Sequence, residues 1–573
     1  MNATMAQRTI RSVGLGRFGG FGIPVVTLGA LLSAAALAQA PGTQPGQIER
    51  QFQSPPQPRS QAGSFQVPLP AQTPPAGSEG VTFRLRGLVL EGMTVYPSES
   101  WGSDYSRLLG RQVSLADIYA FANALTVRYR NDGYLLSQVI VPAQTVEDGV
   151  VRLQAVEGHV AEVRFEGVAA SPRLLDYAAR IEAERPLTAR TLERLLLLMN
   201  DLPGAFARAL LVPSATQQGA SDLVVQYTRQ RVGGGISIDN RGGRALGPWR
   251  ASVDLEQRGL LGWGERSGVR FVGAEKGELK YLALSHDQAL GGDGTRGGLT
   301  WSRVRSRPDT GGSFIPLNLE TESDSGALSL SHPVLRSRSE NLSLRAALTR
   351  HNGTTRLFNV RDTEDRIRSL RLGLSYDLAD SAQGVSIVDL ELARGVKAAG
   401  ASSVGDPFLS RANGKPAFTK IGLYAARLQS LQAIGPRWSL LAALSAQYAL
   451  HDLLAPELFS FGGEQFGRGY DPSELVGDHG AAMKIELRYT FGTDGGFAAG
   501  ATLYGFYDAG VVRQRSPGGL AAEQSATSAG LGLRFDLGRL LSGYVEFAKP
   551  LSRAVAAEGN RDGRGFAGLS VRF

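Results

Sequence analysis

The chain has 573 residues and no cysteine, which excludes a disulfide framework and a thiolate metal site. The formal net charge is +8, but basic and acidic residues are interspersed, which argues against a nucleic-acid-binding surface. The length is too great for one ordinary soluble domain.

Residues 1–40 have the pattern of a secretory signal peptide. A basic region reaches Arg17, an apolar stretch covers 21–37, and Ala38–Ala40 fits the small-x-small cleavage rule, so the mature chain would begin at Pro41. A retained membrane anchor is the alternative. No later segment has about 20 consecutive apolar residues, so any further membrane crossing requires β-strands.

Residues 41–80 are rich in Pro, Gln, Ser and Gly, a composition typical of a linker. Within them Gln47–Gln53 allows a helix of about two turns ahead of the folded domains. A disordered spacer is the simpler interpretation of the same residues.

Residues 81–159 predict a compact α/β unit. Val81–Leu90 is strand-like, Ser98–Leu109 is helical in its periodicity, and a second helix begins after the N-cap Ser114 and runs to about Asn131. The strands predicted to follow are Tyr134–Val141 and Gly149–Val156.

Residues 160–230 repeat the order β-α-α-β-β with little sequence identity to the first unit. The elements predicted here are a strand Val160–Gly167, helices Pro172–Ala183 and Thr188–Asp201, and strands Phe206–Val212 and Asp222–Arg229.

From 231 to 573 the helical pattern stops, and about sixteen strands are predicted. In the closing run Leu569, Val571 and Phe573 share one face, while Ser570 and Arg572 share the other. An apolar outside and a polar inside, repeated from strand to strand, is typical of an outer-membrane β-barrel and unsuited to a soluble sandwich. Inward-facing charges are predicted at Arg345, Arg371, Glu486, Arg488, Arg534, Asp536 and Glu546.

The connections alternate in length, as expected for short periplasmic turns and long external loops. The predicted short connections are Leu260–Glu265, Gln288–Gly294, Asp377–Gly384, Ser430–Pro436 and Gly538–Arg539. The predicted long ones are Arg305–Glu322, His351–Arg366, Gly395–Pro416, His451–Ala481, Val511–Ala526 and Lys549–Arg564. An even strand count leaves both ends of the barrel in the periplasm, where the α/β units must lie.

The longest of these loops contains Gly467-Arg468-Gly469-Tyr470, and Phe506-Tyr507-Asp508-Ala509-Gly510 ends the thirteenth strand. An arginine between glycines is free to fold inward, where the lumen-facing Asp508 would form a charge-assisted, bidentate pair that pins the loop in the pore. By itself the R-G-Y tripeptide is weak evidence, and an exposed loop arginine is the simpler interpretation.

Together these features resemble the TpsB transporters of two-partner secretion, of the FhaC and ShlB type within the BamA-related superfamily. Arg468, Gly469 and Tyr470 resemble the family's V-R-G-Y/F loop signature, with Gly467 where a β-branched residue is usual. Leu475-Val476-Gly477-Asp478 with Glu486-Leu487-Arg488 resembles its continuation. Phe506, Asp508 and Gly510 resemble the F-x-D-x-G motif whose aspartate pairs with the loop arginine.

The same resemblance extends to the first α/β unit and the chain end. The matching residues are Gly133, Tyr134, Ser137, Pro142 and Gln144, which fit the family's R-x-x-G-Y…S…v-P-x-Q stretch. It implies that both α/β units are periplasmic POTRA domains and that Phe573 is a signal read by the outer-membrane assembly machinery.

The resemblance implies an outer-membrane translocator that binds an unfolded TpsA-type exoprotein, a β-helical adhesin or hemolysin, and exports it through the barrel. A BamA- or TamA-like insertase and a passive porin or enzyme barrel are the alternatives. The sequence has no P-loop, no nucleophile elbow and no metal-binding spacing among its six histidines, so we expect no cofactor and no catalytic activity.

Overall fold

The computed structural model describes residues 41–60, 72–167, 169–217, 219–308, 318–491, 498–517, 521–538 and 540–573. The signal peptide predicted for residues 1–40 lies outside them. In the part of the chain that is described, helices are all too short or too polar to span a membrane.

A short helix, α1 (Pro45–Arg50), lies inside the barrel rather than in solvent. It begins two residues before the predicted Gln47–Gln53 helix, with a proline in its first turn, and ends three residues earlier. The disordered-spacer interpretation is therefore wrong for this segment. Ile48 is fully buried against inward-facing barrel side chains, and this tertiary packing stabilises a helix too short to form alone.

The first α/β unit packs two helices on a three-stranded sheet that has the last strand of the unit in the middle. Its elements are β1 (Thr82–Arg84), β2 (Gly87–Glu91), α2 (Gly102–Tyr105), β3 (Gln112–Ser114), α3 (Leu115–Asn131), β4 (Gln138–Ile140) and β5 (Val150–Val156).

Two predictions for this unit need correction. The strand predicted as Val81–Leu90 is divided into β1 and β2, because the backbone of Leu85 pairs instead with Arg111 and Gly110. The helix predicted over Ser98–Leu109 is only a 3₁₀ turn followed by α2. The predicted N-cap is confirmed, since Ser114 and Asp117 form a reciprocal capping box.

The second unit has the order β-α-α-β-β without the short strands β1 and β3 of the first, and its three-stranded sheet has the last strand of the unit in the middle. Its elements are β6 (Val160–Gly167), α4 (Pro172–Ala183), α5 (Ala189–Asn200), β7 (Ala205–Pro213) and β8 (Ser221–Arg229). Its core is a separate cluster that includes Tyr177, Leu192 and Met199.

Sixteen antiparallel strands among the described residues close a barrel, which confirms the predicted fold class. They are β9 (Val232–Asp239), β10 (Arg250–Arg258), β11 (Arg266–Ala274), β12 (Leu279–Ala289), β13 (Arg296–Ser306), β14 (Glu320–Arg336), β15 (Glu340–Leu357), β16 (Val360–Ala379), β17 (Gly384–Gly395), β18 (Thr419–Ser430), β19 (Trp438–Ala449), β22 (His479–Phe491), β23 (Ala498–Arg513), β24 (Glu523–Leu537), β25 (Leu541–Pro550) and β26 (Arg564–Arg572). The two remaining strands, β20 (Phe459–Phe461) and β21 (Leu475–Gly477), form a hairpin within the loop between β19 and β22.

The long external loop predicted over His351–Arg366 is wrong. There β15 and β16 continue as one long hairpin, joined by a two-residue turn at Phe358 and Asn359, both with positive φ. These strands have 18 and 20 residues, whereas a membrane-spanning strand needs about 9–11. The hairpin therefore projects beyond the bilayer, where polar side chains are tolerated on both faces and the period-two pattern fades.

The second α/β unit contacts the barrel through the short turns. Arg336, at the end of β14, forms a bidentate ion pair with Asp201, with both N–O distances 2.8 Å. Arg180 on α4 donates to Asp293 in the turn between β12 and β13 at 2.7 Å. These turns therefore define the periplasmic end of the barrel, and the long loops lie at the other end.

Candidate functional site: the barrel lumen and its inward loop

The loop of residues 450–478 folds into the barrel instead of extending outward. Its hairpin β20–β21 and the segment between them pack against the inner wall, where Phe461, Tyr470 and Leu475 are almost fully buried. The Tyr470 hydroxyl donates a hydrogen bond to the carbonyl of Thr527 at 3.0 Å. The apolar side of the loop thus closes on the wall formed by β22 to β24.

Arg468 lies at the inner end of this loop and contacts Asp508 on β23. Nε and Nη2 donate to the two carboxylate oxygens at 3.0 and 2.8 Å, and the backbone N–H groups of Gly467 and Arg468 donate to Oδ2 at 3.1 and 2.9 Å. The side chains of the pair are 3% and 0% exposed, so water does not screen the interaction. The loop is held by four charge-assisted bonds to one carboxylate.

A second carboxylate completes the setting of Arg468. Nη1 of Arg468 donates to Glu486 on β22 at 2.6 Å, and the Arg468 guanidinium lies 3.5 Å from the centre of the Phe506 ring. Glu486 also accepts from Arg488 and Arg534, at 2.7 and 2.6 Å. Every charge in this buried group therefore has an opposite charge as a partner, as burial requires.

Glycines allow the loop tip to lie this close to the wall. Gly467 has φ +85°, and a Cβ there would lie 2.7 Å from the Phe461 ring; a β-branched residue does not fit this conformation. A Cβ on Gly469 would lie 2.9 Å from that of Ser528, and one on Gly510 would lie 2.1 Å from the Phe461 ring. Glycine in place of the β-branched residue usual in the family signature therefore fits the packing around position 467.

Gly477 and Asp478 lie at the other end of the loop and belong to a different cluster. Asp478 is fully buried and accepts bidentately from Arg411, in the loop between β17 and β18, at 2.7 and 3.0 Å. It also accepts from the backbone N–H of Leu453 at 2.7 Å. Arg411 was missed from the sequence, because a pairing between two loops leaves no local pattern.

The helix α1 occupies the lumen beside the inward loop. Gln47 donates to the carbonyl of Ala455, and Arg50 donates to the carbonyl of Pro456, both at 2.6 Å. Glu49 accepts from the hydroxyls of Ser302 and Ser325, on β13 and β14. The helix thus bridges the loop and the opposite wall, and the two inserts together line a cavity of about 990 Å³.

A buried cluster around Glu457 also escaped the sequence interpretation. Glu457 forms ion pairs with Arg371 on β16 at 2.6 Å and with Lys420 on β18 at 2.7 Å. Arg371 was predicted to face the lumen, but its partner lies in the loop and no spacing rule connects the two. This cluster fixes the loop to the wall formed by β16 and β18.

The residues of the first-unit motif lie far from Arg468, at the joint between the two α/β units. The Ser137 hydroxyl accepts from the backbone N–H of Gly158, and the Gly133 carbonyl accepts from the N–H of Ala189 in the second unit, at 3.1 and 2.8 Å. Leu136 packs into the core of the second unit. These contacts connect the two units.

The other motif residues stabilise the first unit itself. Gln144 forms two hydrogen bonds with the backbone of Arg152 on β5, at 2.7 and 2.8 Å, and a longer one at 3.3 Å to the Pro142 carbonyl. The Tyr134 ring packs edge-on against Tyr129. Burial, together with the bond to Glu157, raises the pKa of the Tyr129 hydroxyl, which therefore stays a proton donor at neutral pH.

Phe573 completes the seam where the barrel closes. Strands β26 and β9 pair through only five residue pairs, and Phe573 and Gly234 then exchange two backbone hydrogen bonds of 2.9 and 3.0 Å. The Phe573 ring is half exposed on the outer face. In the described ranges no cluster of His, Asp and Glu has the composition of a metal site.

Two family profiles match this chain, one over most of the barrel and one over the first α/β unit. The sequence profile of the haemolysin secretion/activation protein ShlB/FhaC/HecB family matches residues 219–535, more than half of the chain, and that of the POTRA domain, ShlB-type, matches residues 83–158. The chain belongs to the ShlB/FhaC/HecB family. It is an outer-membrane two-partner secretion transporter with its POTRA domains in the periplasm.

Relatives of this ShlB/FhaC/HecB-family chain agree in length and fold. The heme/hemopexin transporter protein HuxB of Haemophilus influenzae is 24% identical over 460 residues, covering 78% of this chain and 80% of HuxB. The outer membrane transporter CdiB of Dickeya dadantii is 24% identical, covering 74% and 75%. The solved structure of CdiB from Escherichia coli has a TM-score of 0.70 at 20% identity, covering 97% of this chain and all of CdiB.

Proposed function

We propose that this transporter captures one unfolded exoprotein through its POTRA domains and passes it through the barrel as an extended chain. The proposal rests chiefly on the two inserts in the lumen. The loop is fixed by buried ion pairs, and the helix by hydrogen bonds to backbone carbonyls and serines with one longer contact, of 3.6 Å, between Glu49 and His351. A polypeptide pore must be closed when empty and open when occupied. A fixed loop beside a weakly held helix meets both requirements.

The proposal includes the division of labour along the chain. Residues 1–40 would direct secretion and be removed, 41–80 would form the linker with the plug helix, and 81–159 and 160–230 would be POTRA domains. Residues 231–573 would form the pore. Family membership favours export over the insertase alternative, and a transporter with this lumen needs no catalytic group of its own.

The edge of the first POTRA sheet is covered. The outward N–H of Val139 on β4 donates to the Thr126 hydroxyl at 2.9 Å, and the next outward N–H, of Val141, donates to the Gln72 side chain at 3.0 Å. The linker and the unit's own helix α3 thus occupy this edge. An extended segment would have to displace Gln72 to pair with it.

The edge of the second POTRA sheet is open over half of its length. Asn200 forms two hydrogen bonds with the backbone of Ala207 on β7, so Ala207 faces away from β8, and alternation places the N–H and C=O of Ala209 and Leu211 outward as well. Phe206 and Leu210 are more than half exposed beside this edge. An uncovered edge with apolar neighbours is suited to strand addition by an unfolded chain.

Secretion of the exoprotein encoded beside this transporter tests the proposal. Ala209→Pro removes one outward N–H without breaking the β7–β8 ladder, whereas Ala209→Val keeps the N–H and serves as the matched control. We expect secretion to fall at least tenfold with Ala209→Pro and less than twofold with Ala209→Val. Assembly of other outer-membrane barrels is followed in the same cells.

Equal secretion by both Ala209 variants would overturn the choice of the β7 edge. Normal export without this transporter, together with failure of other barrels to assemble, would overturn the transport proposal itself and support the insertase alternative.

Two further parts of the proposal are that the terminal Phe573 is read by the assembly machinery and that the exoprotein is a β-helical adhesin or hemolysin.

A further inference from the structure

Four arginines form a patch on the outward face of β15, β16 and β17. Arg350, Arg366 and Arg394 are exposed and Arg368 is half-buried, whereas their neighbours Ile367, Ser369 and Ala393 point into the barrel and are buried. Directly on the periplasmic side of these arginines lie exposed leucines of the same face, Leu348, Leu370 and Leu392. Side-chain alternation therefore places the arginine patch on the face that carries the lipid-facing leucines.

The arginine patch lies at the outer boundary of the bilayer. Arg350 is the eleventh residue of β15 and Arg394 the eleventh of β17, counted from the periplasmic end. A strand crosses the hydrocarbon core in about 9–11 residues. The guanidinium groups thus lie at the height of lipid headgroups, with the leucines at the height of the acyl chains.

The charges within the arginine patch are not balanced by the described protein groups. Arg350 and Arg368 are directly opposite each other on β15 and β16, an arrangement of like charges that destabilises a sheet. Arg350 pairs with Asp324, and Arg366 pairs with Glu364.

Arg368 and Arg394 have no carboxylate partner among the described residues. Arg368 donates to the carbonyls of Ala399, His351 and Ile367 and to the Asn352 side chain, and Arg394 donates to the Thr419 hydroxyl. A multivalent anion placed over these two side chains would supply the missing charge.

Outward-facing arginines on other strands, also near the outer end of the barrel, differ in having a carboxylate nearby. Arg303 on β13 pairs with Glu322, and Arg513 at the end of β23 lies opposite Glu523 in the ladder. Arg303 is thus compensated within the protein, and Arg513 has a carboxylate as its neighbour across the strands. Arg368 and Arg394, in the sector of β15 to β17, have no such carboxylate among the described residues.

We propose that this arginine patch binds the phosphate groups of a phosphate-bearing lipid in the outer leaflet. Arg368 and Arg394 would contact the phosphate, with Arg350 beside them, since guanidinium groups form strong bidentate bonds to phosphate oxygens. The acyl chains would lie along Leu348, Leu370 and the leucines below. Apolar contact immediately beneath a phosphate site distinguishes a lipid from a free anion or from a soluble acidic partner.

Native mass spectrometry of the full-length protein in detergent tests this assignment. The probes are diphosphoryl lipid A, its dephosphorylated form and inorganic phosphate. We expect one bound diphosphoryl lipid A on the wild type, at least fivefold lower occupancy on Arg368→Gln/Arg394→Gln, and less than a twofold change on the control Arg303→Gln/Arg513→Gln. Heat-dependent mobility on gels verifies that each variant is folded.

Three results would overturn the proposal. Equal losses in the two double variants would show attraction by general surface charge. Unchanged occupancy in both would show that the acyl chains alone bind. Displacement of the lipid by a tenfold excess of inorganic phosphate would show a site for a free anion.

Discussion

The two inserts in the lumen differ in how they are held. The inward loop is attached through Arg468, Asp508 and Glu486, three charges that are 3% exposed or less. The helix α1 is attached through Gln47 and Arg50 to backbone carbonyls, and through Glu49 to serine hydroxyls and, at 3.6 Å, to the His351 ring, which is a charge partner only when protonated. In the proposed function the loop would give the pore its permanent shape, and the helix would provide a closure that costs much less to undo.

The loop and the helix differ in the free energy that is lost when one partner of a contact is removed. A buried carboxylate that loses its arginine remains charged and desolvated, which costs about 3–5 kcal/mol. A backbone carbonyl that loses a glutamine exchanges one bond for a bond to water, a change of about 1 kcal/mol when water can enter. The predictions below test this ranking.

The largest effect is expected for Arg468→Ala. It leaves Asp508 and Glu486 buried without this arginine, so we expect the loop attachment to weaken by about 3–5 kcal/mol and secretion to fall at least tenfold. Arg468→Lys should restore only part of it, because an ammonium group cannot form the bidentate pair. Arg513→Ala, on the outer surface, is the control; equal secretion by Arg468→Ala and Arg513→Ala would show that the ion pair does not set the pore.

Gly467→Ala is expected to weaken the attachment of the inward loop by less than Arg468→Ala does. The left-handed conformation of this residue costs a side chain about 1–3 kcal/mol, and contact with the Phe461 ring adds to this. Gly559 has φ +70° and open space around it, so Gly559→Ala carries the backbone strain without the contact. Protease accessibility of the loop in folded protein measures the difference, and equal accessibility in the two variants would argue against a tight fit at Gly467.

The helix variant Gln47→Ala/Arg50→Ala should change gating and leave the fold intact. Losing both bonds weakens the helix position by about 2 kcal/mol, which corresponds to an increase of roughly thirtyfold in the open fraction of the pore. Single-channel recording in planar bilayers measures this fraction. Gln57→Ala/Arg59→Ala removes the same residue types from exposed linker positions; a similar rise there would mean that the lumen bonds do not hold the helix.

The smallest effect is expected at the exposed contact between Arg180 and Asp293. The hydrogen bond from Arg180 lowers the pKa of Asp293, so the contact stabilises the folded state above the ordinary aspartate pKa of about 3.9 and is lost as pH falls through the lower folded value. Asp293→Asn should therefore cost less than about 1 kcal/mol at pH 7 and less still at pH 2. Thermal unfolding at both pH values, with Asp562→Asn as the control, measures it; a larger cost at pH 2 than at pH 7 would reverse the assigned sign.

The sequence predicts the barrel and the α/β repeat well, because both follow from local periodicity. Strands such as β22 and β24 alternate lipid-facing and lumen-facing residues along their length, and the second unit's helices have clear apolar faces. The extension of β15 and β16 could not be predicted in this way. Beyond the bilayer neither face must be apolar, so the residues look like a loop.

The candidate site was predictable only where a family motif marked it. Arg468 and Asp508 were named from sequence, and the structure brings them into contact; their role in secretion stays a prediction. The partners Arg411 and Lys420 were not named, since long-range pairs between a loop and a wall have no spacing in the chain. The helix α1 was obscured by its composition, because its stability comes from the lumen around it.

The seam at Phe573 has a practical consequence for labelling the molecule. The last residue itself supplies two of the hydrogen bonds that join the final strand to the first. A tag fused after Phe573, or the loss of that one residue, would therefore act directly on the shortest ladder of the barrel. An epitope or fluorophore inserted at Gly559 would instead report on surface display with the closing strands intact, since open space surrounds that loop position.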